Sequence, residues 1–268
     1  MDGKNDCRIP PDDNFVNIFP EIVAFGTQYA SNRCNFSCLN INIELNPSFE
    51  VIRGTVSFKH VFGNFRYICM IMANTPITTE KHPLEPFLPE GARILMLGSF
   101  PPKHERWSME FFYPNWINDM WRIFGHIFFD DRNHFVVPEC KRFDRDKCAA
   151  FASDKGIAMF DTASEVRRLK DNASDKFLEI VTPTDIEALL QMIPDCHAIV
   201  TTGQKATDVI IEKYGSEEPK VGSFTTLEIA GRSMRFWRMP SSSRAYPLSL
   251  EKKAEHYMIM YKEEGLIR

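Results

Sequence analysis

The chain has 268 residues, of which 44% are hydrophobic and 25% charged, and its formal net charge is −4. This composition is typical of a globular protein with one large or two small domains, and it excludes collagen-like and low-complexity chains. Apolar runs fall far short of the roughly 20 residues of a membrane span, so no membrane partner is expected. No secretory signal is apparent, which makes the cytoplasm the expected location. The mild acidity argues against a protein that coats nucleic acid, but it allows a local basic site.

The first 71 residues differ in composition from the remaining 197. They contain nine Asn, against five in the rest, and four of the seven Cys. Residues 51–58 and 65–72 have strand-like composition, whereas the stretches before them show no helical period. We interpret residues 1–71 as a poorly patterned N-terminal extension, and Met72 as a candidate start of the native product.

From residue 92 onward, strand and helix patterns alternate. Short apolar runs predict buried strands over 93–97, 156–160, 198–202 and 236–239. Apolar residues at helical spacing predict helices over 118–128, 183–193, 205–214 and 248–263, the last opened by Ser249. In the second of these helices, Pro183 is expected in the first turn, with Thr182 or Thr184 as the cap. Its predicted inward stripe is Ile186, Leu189, Leu190 and Ile193.

Strands that alternate with helices indicate a parallel sheet covered on both faces. We therefore predict an α/β fold for residues 72–268, with three αβα layers around a central, mostly parallel four-stranded sheet. Ligands of such sheets bind beyond the carboxyl ends of the strands. The segments that follow the four strands are expected to converge on one crevice; they are 98–102, 161–162, 203–205 and 240–244.

Three segments carry candidate chemistry. Residues 98–102 lack the P-loop and dinucleotide patterns, so no nucleotide cofactor is expected, and the turn could be purely structural. Residues 111–121 place Asn118 and Asp119 among five aromatic side chains. Aromatic planes and an amide suit a planar heterocycle, although such clusters more often form core. Residues 239–246 offer three serines and Arg244, which suit a phosphodiester backbone, although an ordinary Ser-rich loop is the simpler interpretation.

Motifs in this order resemble the uracil-DNA glycosylase superfamily, most closely its hypoxanthine-DNA glycosylase branch. They are Gly98-Ser99-Phe100-Pro101-Pro102, Phe112-Tyr113, Asn118-Asp119-Met120-Trp121, the segment 156–161 and Met239-Pro240-Ser241-Ser242-Ser243-Arg244-Ala245. The resemblance covers the chain from about Ala92 to its last residue. It departs from the family pattern where Pro102 replaces a glycine and Met120 an aromatic residue. The water-activating Asp or Asn that many members carry in the first motif is also missing.

The resemblance implies a monofunctional DNA glycosylase of base excision repair. Such an enzyme hydrolyses the N-glycosidic bond of a deaminated base, uracil or hypoxanthine, that is flipped out of DNA. Asn118 would position the attacking water, with Asp119 as a second candidate. The implied base-binding residues are Gly98, Ser99, Phe100, Pro101, Phe112 and Tyr113. The implied DNA-binding residues are Lys205, Ser241, Ser242, Ser243 and Arg244. The expected state is a monomer that binds DNA without an obligate protein partner.

Neither a metal nor any other cofactor is expected. Cys34 and Cys38 are spaced like half of a metal site, but a tetrahedral site needs four ligands. The iron–sulfur branches of the superfamily also use four cysteines, and residues 72–268 contain only Cys140, Cys148 and Cys196.

Two other functions stay open. The same fold could bind a modified base or a nucleotide without cutting, an interpretation that Pro102 and the missing water-activating residue favour. A small acyl or phosphate-ester hydrolase could use Ser99 or Ser242 as its nucleophile. For that hydrolase, however, no histidine is predicted at a strand end to serve as the base.

Overall fold

The structure is a computed structural model, and it describes residues 79–169 and 177–267. The predictions for residues 1–71 lie outside these residues: the extension, its candidate strands and the Cys34–Cys38 pair. The candidate start at Met72 also lies outside them. Within the described residues, no helix is both long enough and apolar enough to cross a membrane.

Two sheets organise the described residues. The larger sheet has five strands in the spatial order β3-β2-β6-β8-β7, and the smaller has three in the order β1-β4-β5. Strands β3, β2, β6 and β8 run parallel, and β7 pairs with β8 in the antiparallel sense. The strands are β1 (Thr79–Lys81), β2 (Ile94–Gly98), β3 (Ile157–Asp161), β4 (Ala163–Arg168), β5 (Leu178–Pro183), β6 (Ala198–Thr202), β7 (Ser223–Ile229) and β8 (Arg232–Met239).

Helices cover both faces of the large sheet. They are α1 (Met120–Phe129), α2 (Arg145–Asp154), α3 (Ile186–Met192), α4 (Gln204–Tyr214) and α5 (Leu250–Glu263). Met96 lies on the face that α5 covers, where the Tyr261 hydroxyl donates to Met96 Sδ at 3.7 Å. Val200 is the register partner of Met96, so the next residue, Thr201, faces the other way. Thr201 hydrogen-bonds Thr207 of α4 at 2.8 Å, which places α4 on the opposite face.

The mixed α/β class and the four predicted strands are confirmed, but the prediction of a four-stranded sheet is wrong because β7 adds a fifth strand. Strand β7 joins β8 through a hairpin whose turn residues, Ala230 and Gly231, have φ values of 53° and 70°. Two positive φ values in succession fit the twist of a hairpin. The sequence lacks the Asn-Gly or Asp-Gly signal of such a turn. Strand β8 starts at Arg232 and not at the predicted Phe236. Its first four residues are mostly polar, so the apolar run marks only its second half.

The small antiparallel sheet is not predicted from the sequence. In β4 only Ala163 and Val166 are buried, and most of β5 is exposed, so neither strand shows a strong apolar pattern. The sheet brings the end of β1 to the start of β4, which directly follows β3 in the chain: the His82 N–H donates to Ser164 O at 2.8 Å. A segment far away in the sequence thereby reaches the carboxyl end of the large sheet.

The predicted helices are present, with shifted ends. Helix α1 begins at Met120, two residues later than predicted. The inward stripe of α3 is buried as predicted. The predicted cap of α3 is wrong: Asp185 caps the helix by accepting the Ala188 N–H at 3.1 Å, because Pro183 still belongs to β5. Helix α5 is capped by Ser249 as predicted. Helix α2 is an addition to the predicted elements.

Gly125 lies in the middle of α1, where the following loop folds back onto the helix. The Asp131 N–H donates to Gly125 O at 3.2 Å, and a Cβ at position 125 would collide with the backbone oxygen of Asp131. In an ordinary helix interior, Gly→Ala stabilises by about 1 kcal/mol. We predict that Gly125→Ala instead destabilises the protein by about 1–3 kcal/mol, because the loop must move.

Urea unfolding measures this change in the free energy of unfolding. Gly215→Ala is the control, because Gly215 has φ 68° but open space around its Cα, so only backbone strain of about 1 kcal/mol is expected. A stabilising effect of Gly125→Ala would contradict the packing described above.

Candidate functional site

The carboxyl ends of the four parallel strands lie level with one another. Gly98 of β2 is the register partner of Asp161 of β3, and Thr202 of β6 is the partner of Met239 of β8. The register between β2 and β6 brings these two pairs to the same level. The four segments that follow the strands therefore leave the sheet along one edge, where parallel sheets bind their ligands.

Gly98 is needed at the end of β2 because the carboxylate of Asp161 lies against its Cα. A Cβ at position 98 would collide with Asp161 Oδ1. The carbonyl oxygen of Gly98 accepts the N–H and the hydroxyl of Thr162, at 2.9 and 3.1 Å. Gly98, a predicted base-binding residue, thus leaves room for an acidic side chain at the strand ends.

A buried histidine holds that acidic side chain. His82 Nε2 lies 2.9 Å from Asp161 Oδ2, and the two side chains are only 4% and 12% exposed. Because a carboxylate only accepts, Nε2 carries the proton of this bond. The other ring nitrogen, Nδ1, lies against the peptide of Leu84, 2.8 Å from its oxygen. The sequence does not predict a role for His82, because 79 residues separate it from Asp161 and no local pattern marks it.

The position of His82 also bears on the hydrolase alternative. A histidine does lie at a strand end, contrary to the prediction from sequence. However, its two ring nitrogens face Asp161 and Leu84. Neither faces a serine, so His82 is not placed to activate Ser99 or Ser242 as a nucleophile.

Tyr113 contributes a phenol to the same strand ends. Its hydroxyl lies 3.3 Å from Thr202 Oγ1, and its φ of 52° is rare for a bulky residue. Burial raises the pKa of Tyr113 well above its ordinary value, and the negative charge of Asp161 acts in the same direction. The phenol therefore stays protonated at neutral pH and can act as a hydrogen-bond donor.

The resemblance to the glycosylases implies that the base stacks on Phe100, Phe112 or Tyr113, and the first two of these are packed in the interior. Phe100 is buried in a small cluster with Ala163, Val166 and Leu178. Phe112 is buried in the main core, with its ring centroid 6.2 Å from that of Phe160. Of the three proposed stacking residues, Tyr113 is the one that is only partly buried and bonded at the strand ends.

Asn118 lies at the end of a tight turn that precedes α1. Its N–H donates to Asn115 O at 2.8 Å, and its side-chain Oδ1 accepts the N–H of Met120 at 2.8 Å. A backbone bridge joins Asn118 to Ser243. The side chain is half-buried, and its amide nitrogen has no hydrogen-bond partner among the described residues. Asn118 is thus held in place and still has free hydrogen-bonding capacity.

Asp119 is committed to two cations. Its Oδ1 accepts Arg244 Nε at 2.9 Å, and its Oδ2 accepts Lys253 Nζ at 3.0 Å. Lys253 is fully buried in α5, and its ammonium also donates to Ser243 O at 2.8 Å. With both oxygens engaged, this carboxylate is placed to tie three segments together rather than to accept a proton from water.

The Ser-rich loop after β8 is held from several sides. The Asp119 N–H donates to Ser242 O at 2.9 Å, and the Tyr257 hydroxyl of α5 donates to Pro240 O at 2.9 Å. Ser242 is buried, whereas Ser243 is exposed. The structure therefore brings together the residues that the sequence predicted on two distant segments, Asn118 and Asp119 on one and Ser241, Ser242, Ser243 and Arg244 on the other.

Arg122 lies beneath the Asn118 turn. Its Nη1 donates to the carbonyl oxygens of Trp116 and Asn118 at 2.9 and 3.3 Å, and its guanidinium stacks over the Trp116 ring at 4.3 Å. Burial, followed by the like charge of Arg244, lowers the pKa of Arg122 to about 10. The side chain remains charged at neutral pH and adds positive potential beside the turn.

The remaining predicted residues flank this arrangement. Ser99 and Lys205 are half-buried, and Lys205 lies in the first turn of α4. Pro101 is buried, and its carbonyl oxygen accepts Arg168 Nη2 at 2.8 Å. Gly203 lies against Ser241, with 3.4 Å between a Cβ placed at position 203 and the Ser241 Cβ. That contact connects the start of α4, and with it Lys205, to the Ser-rich loop.

Comparison with known proteins finds similarity among solved structures. No family model matches the sequence, and no curated protein matches it. The chain is similar to the solution NMR structure of a "putative Uracil DNA glycosylase" from Methanosarcina acetivorans, with 18% sequence identity and a TM-score of 0.49. The match covers 70% of this chain and 99% of that one.

The buried contact between Asp119 and Lys253 leads to a stability prediction. Lys253→Met removes the charge at similar volume and leaves Asp119 Oδ2 buried without its partner. We expect a loss of about 3 kcal/mol in the free energy of unfolding, because breaking the buried ion pair leaves the Asp119 carboxylate with the partly exposed Arg244 as its remaining counter-ion. Urea unfolding tests this expectation.

The double variant Lys253→Met with Asp119→Asn should recover part of that loss, because the stranded charge is then removed as well. Lys252→Met is the matched control, because Lys252 is exposed. A Lys253→Met protein as stable as the control would show that the buried pair does not hold the site together.

Proposed function

We propose that the protein is a DNA glycosylase that hydrolyses the N-glycosidic bond of a deaminated base. The observation that carries this proposal is the direct contact between the Asn118 turn and the Ser-rich loop, beside level strand ends that offer Asp161 and Tyr113. An extruded nucleotide needs hydrogen-bonding groups for its base and donors for its phosphates. Here the Asn118 amide and the side chains of Asp161 and Tyr113 are available to the base, and the hydroxyls and guanidinium of the Ser-rich loop are available to the phosphates. Membership of the uracil-DNA glycosylase superfamily is part of the same proposal.

Asn118 is the proposed group that positions the attacking water. Its Oδ1 accepts the Met120 N–H and keeps a second lone pair, with which it can accept a hydrogen bond from water. An amide is too weak a base to remove the proton outright, so other groups must lower most of the barrier. Tyr113, which stays protonated, can donate to the departing base anion, and a dry pocket strengthens that bond.

Asp161 is the residue proposed to recognise the base by accepting a hydrogen bond from it. His82 occupies Oδ2, so Oδ1 is the oxygen left to accept a hydrogen bond. Deamination converts a ring nitrogen that accepts, in adenine or cytosine, into an N–H that donates, in hypoxanthine or uracil. A carboxylate oxygen accepts a hydrogen bond from the N–H of hypoxanthine or uracil and repels the lone pair of the ring nitrogen in adenine or cytosine. The hydrogen bond from His82 draws charge away from Asp161, which limits its repulsion of the leaving anion.

The Ser-rich loop is the proposed binding site for the phosphates of the DNA backbone. Arg244 uses Nε for Asp119, and its outer guanidinium nitrogens can bind a phosphate. The hydroxyls of Ser241 and Ser243 each accept a backbone N–H, at 3.2 Å in both cases, and can still donate to phosphate oxygens. Lys205 is the proposed additional cation. With Asp119 bound to two cations, we assign it to positioning this loop, not to the chemical step.

A non-cutting module for modified bases is the second candidate. The commitment of both Asp119 oxygens favours it, because no free carboxylate then lies beside Asn118 to act as a general base. Such a module would bind DNA that contains a deaminated base and would leave the glycosidic bond intact. Product analysis separates the two candidates.

Asn118→Ala is expected to reduce base excision at least 100-fold while leaving the affinity for lesion-containing DNA within about threefold. The reason is that the substitution removes the group that positions water and keeps the phosphate contacts. Single-turnover assays on duplexes with uracil or hypoxanthine, together with binding titrations, measure both quantities. Asn133→Ala, at an exposed position, is the control. Equal excision by Asn118→Ala and wild type would remove Asn118 from the mechanism.

Asp161→Asn is expected to lower excision of the deaminated base by roughly 10- to 100-fold. His82 would hold the amide oxygen and leave the amide N–H₂ facing the base N–H, so that a donor meets a donor. Single-turnover rates on the same duplexes test this, with thermal melting as a check on folding. Asp154→Asn, at an exposed position, is the control. An unchanged rate would show that Asp161 does not read the base.

A further inference from the structure

The tip of the Asn118 turn carries an apolar side chain in solvent. The turn spans residues 115–118: Asn115 O accepts the Asn118 N–H at 2.8 Å, and Asn115 Oδ1 accepts the Ile117 N–H at 3.1 Å. Ile117 is 51% exposed. Exposed turn positions usually hold Gly, Asn, Asp or Ser, each of which favours the turn itself. A β-branched apolar side chain is not among the residue types that favour such a turn.

The turn is held rigidly on the sides that face the protein. A backbone bridge joins Trp107 to Asn115, and Arg122 binds the carbonyl oxygen of Trp116 at 2.9 Å. The bridge between Asn118 and Ser243 fixes its other end. These contacts fix the backbone position of Ile117 beside Asn118, the proposed water-positioning residue.

Location distinguishes Ile117 from other exposed apolar residues. Single exposed apolar side chains are common on protein surfaces and need no explanation. Among the described residues, the exposed large apolar side chains are Ile117, Phe129, Leu169, Val181, Met192, Phe224 and Ile259. Of these, Ile117 is the one adjacent in sequence to Asn118 and one residue away from the bridge to the Ser-rich loop.

A nucleotide that leaves the duplex leaves a gap in the base stack, and proteins that distort DNA often fill such gaps with an apolar side chain. The Ser-rich loop offers hydroxyls and Arg244 over residues 241–244, followed by the small Ala245 and the half-buried Tyr246, so none of its exposed side chains is both large and apolar. We propose that Ile117 inserts into the duplex in place of the extruded nucleotide. This inference rests on the proposed glycosylase function and adds a residue to it.

The proposal predicts that Ile117 matters only where a base stack must be opened. Ile117→Ala should lower single-turnover excision from duplex DNA about tenfold or more, and excision from the same single-stranded oligonucleotide less than twofold. Ile117→Leu should keep most of the duplex activity because it keeps the apolar volume. Because Ile117 is exposed, its truncation should leave thermal stability unchanged.

Ile259→Ala is the matched control, because Ile259 is 53% exposed on α5 and should affect neither substrate. If wild type excises the base but Ile117→Ala affects duplex and single strand equally, or neither of them, the insertion is overturned while the glycosylase proposal stands. If wild-type protein excises the base from neither substrate, the glycosylase proposal fails, and the role of Ile117 fails with it.

Discussion

The ion pairs of Asp119 are the interaction on which the candidate site depends. One carboxylate joins the start of α1, the Ser-rich loop after β8 and the C-terminal helix, through Arg244 and Lys253. Lys253 is fully buried, and a buried ammonium is tolerated only when its hydrogen bonds are satisfied. Because Asn118 precedes Asp119 directly, the same pairs fix the distance between the proposed water-positioning group and the proposed phosphate grip.

The parallel sheet supplies the second constraint. Its register puts Gly98, Asp161 and Thr202 at one level, and the absence of a side chain on Gly98 lets the Asp161 carboxylate lie between the strands. The small sheet then brings His82 against that carboxylate. The sheet thus supplies the hydrogen-bonding groups at the strand ends, Asp161 and Thr202. The Asn118 turn and the Ser-rich loop supply the groups beside them. Tyr113 connects the two through its bond to Thr202.

Local patterns were sufficient to predict the strands and helices that build this edge. Continuous apolar runs such as the one in β2 mark strands buried on both faces, and their order implies that their ends converge. The partners across the fold could not be predicted. The pairs His82–Asp161 and Lys253–Asp119 span 79 and 134 residues, and no periodicity encodes them. The sequence therefore left Asp119 as a second candidate for positioning the water, because only the structure reveals the two cations that bind it.

The central claim is that a glycosidic bond breaks at this edge while the DNA backbone stays intact. Mass spectrometry of the products tests it most directly, with the full chain and duplexes that contain one uracil or one hypoxanthine. The account predicts a free base together with an oligonucleotide that is still unbroken at the abasic position. Its mass falls by that of the free base minus one water, because hydrolysis leaves a hydroxyl on the sugar. An oligonucleotide of unchanged mass, recovered from a complex that the protein binds tightly, would contradict it and favour the non-cutting module.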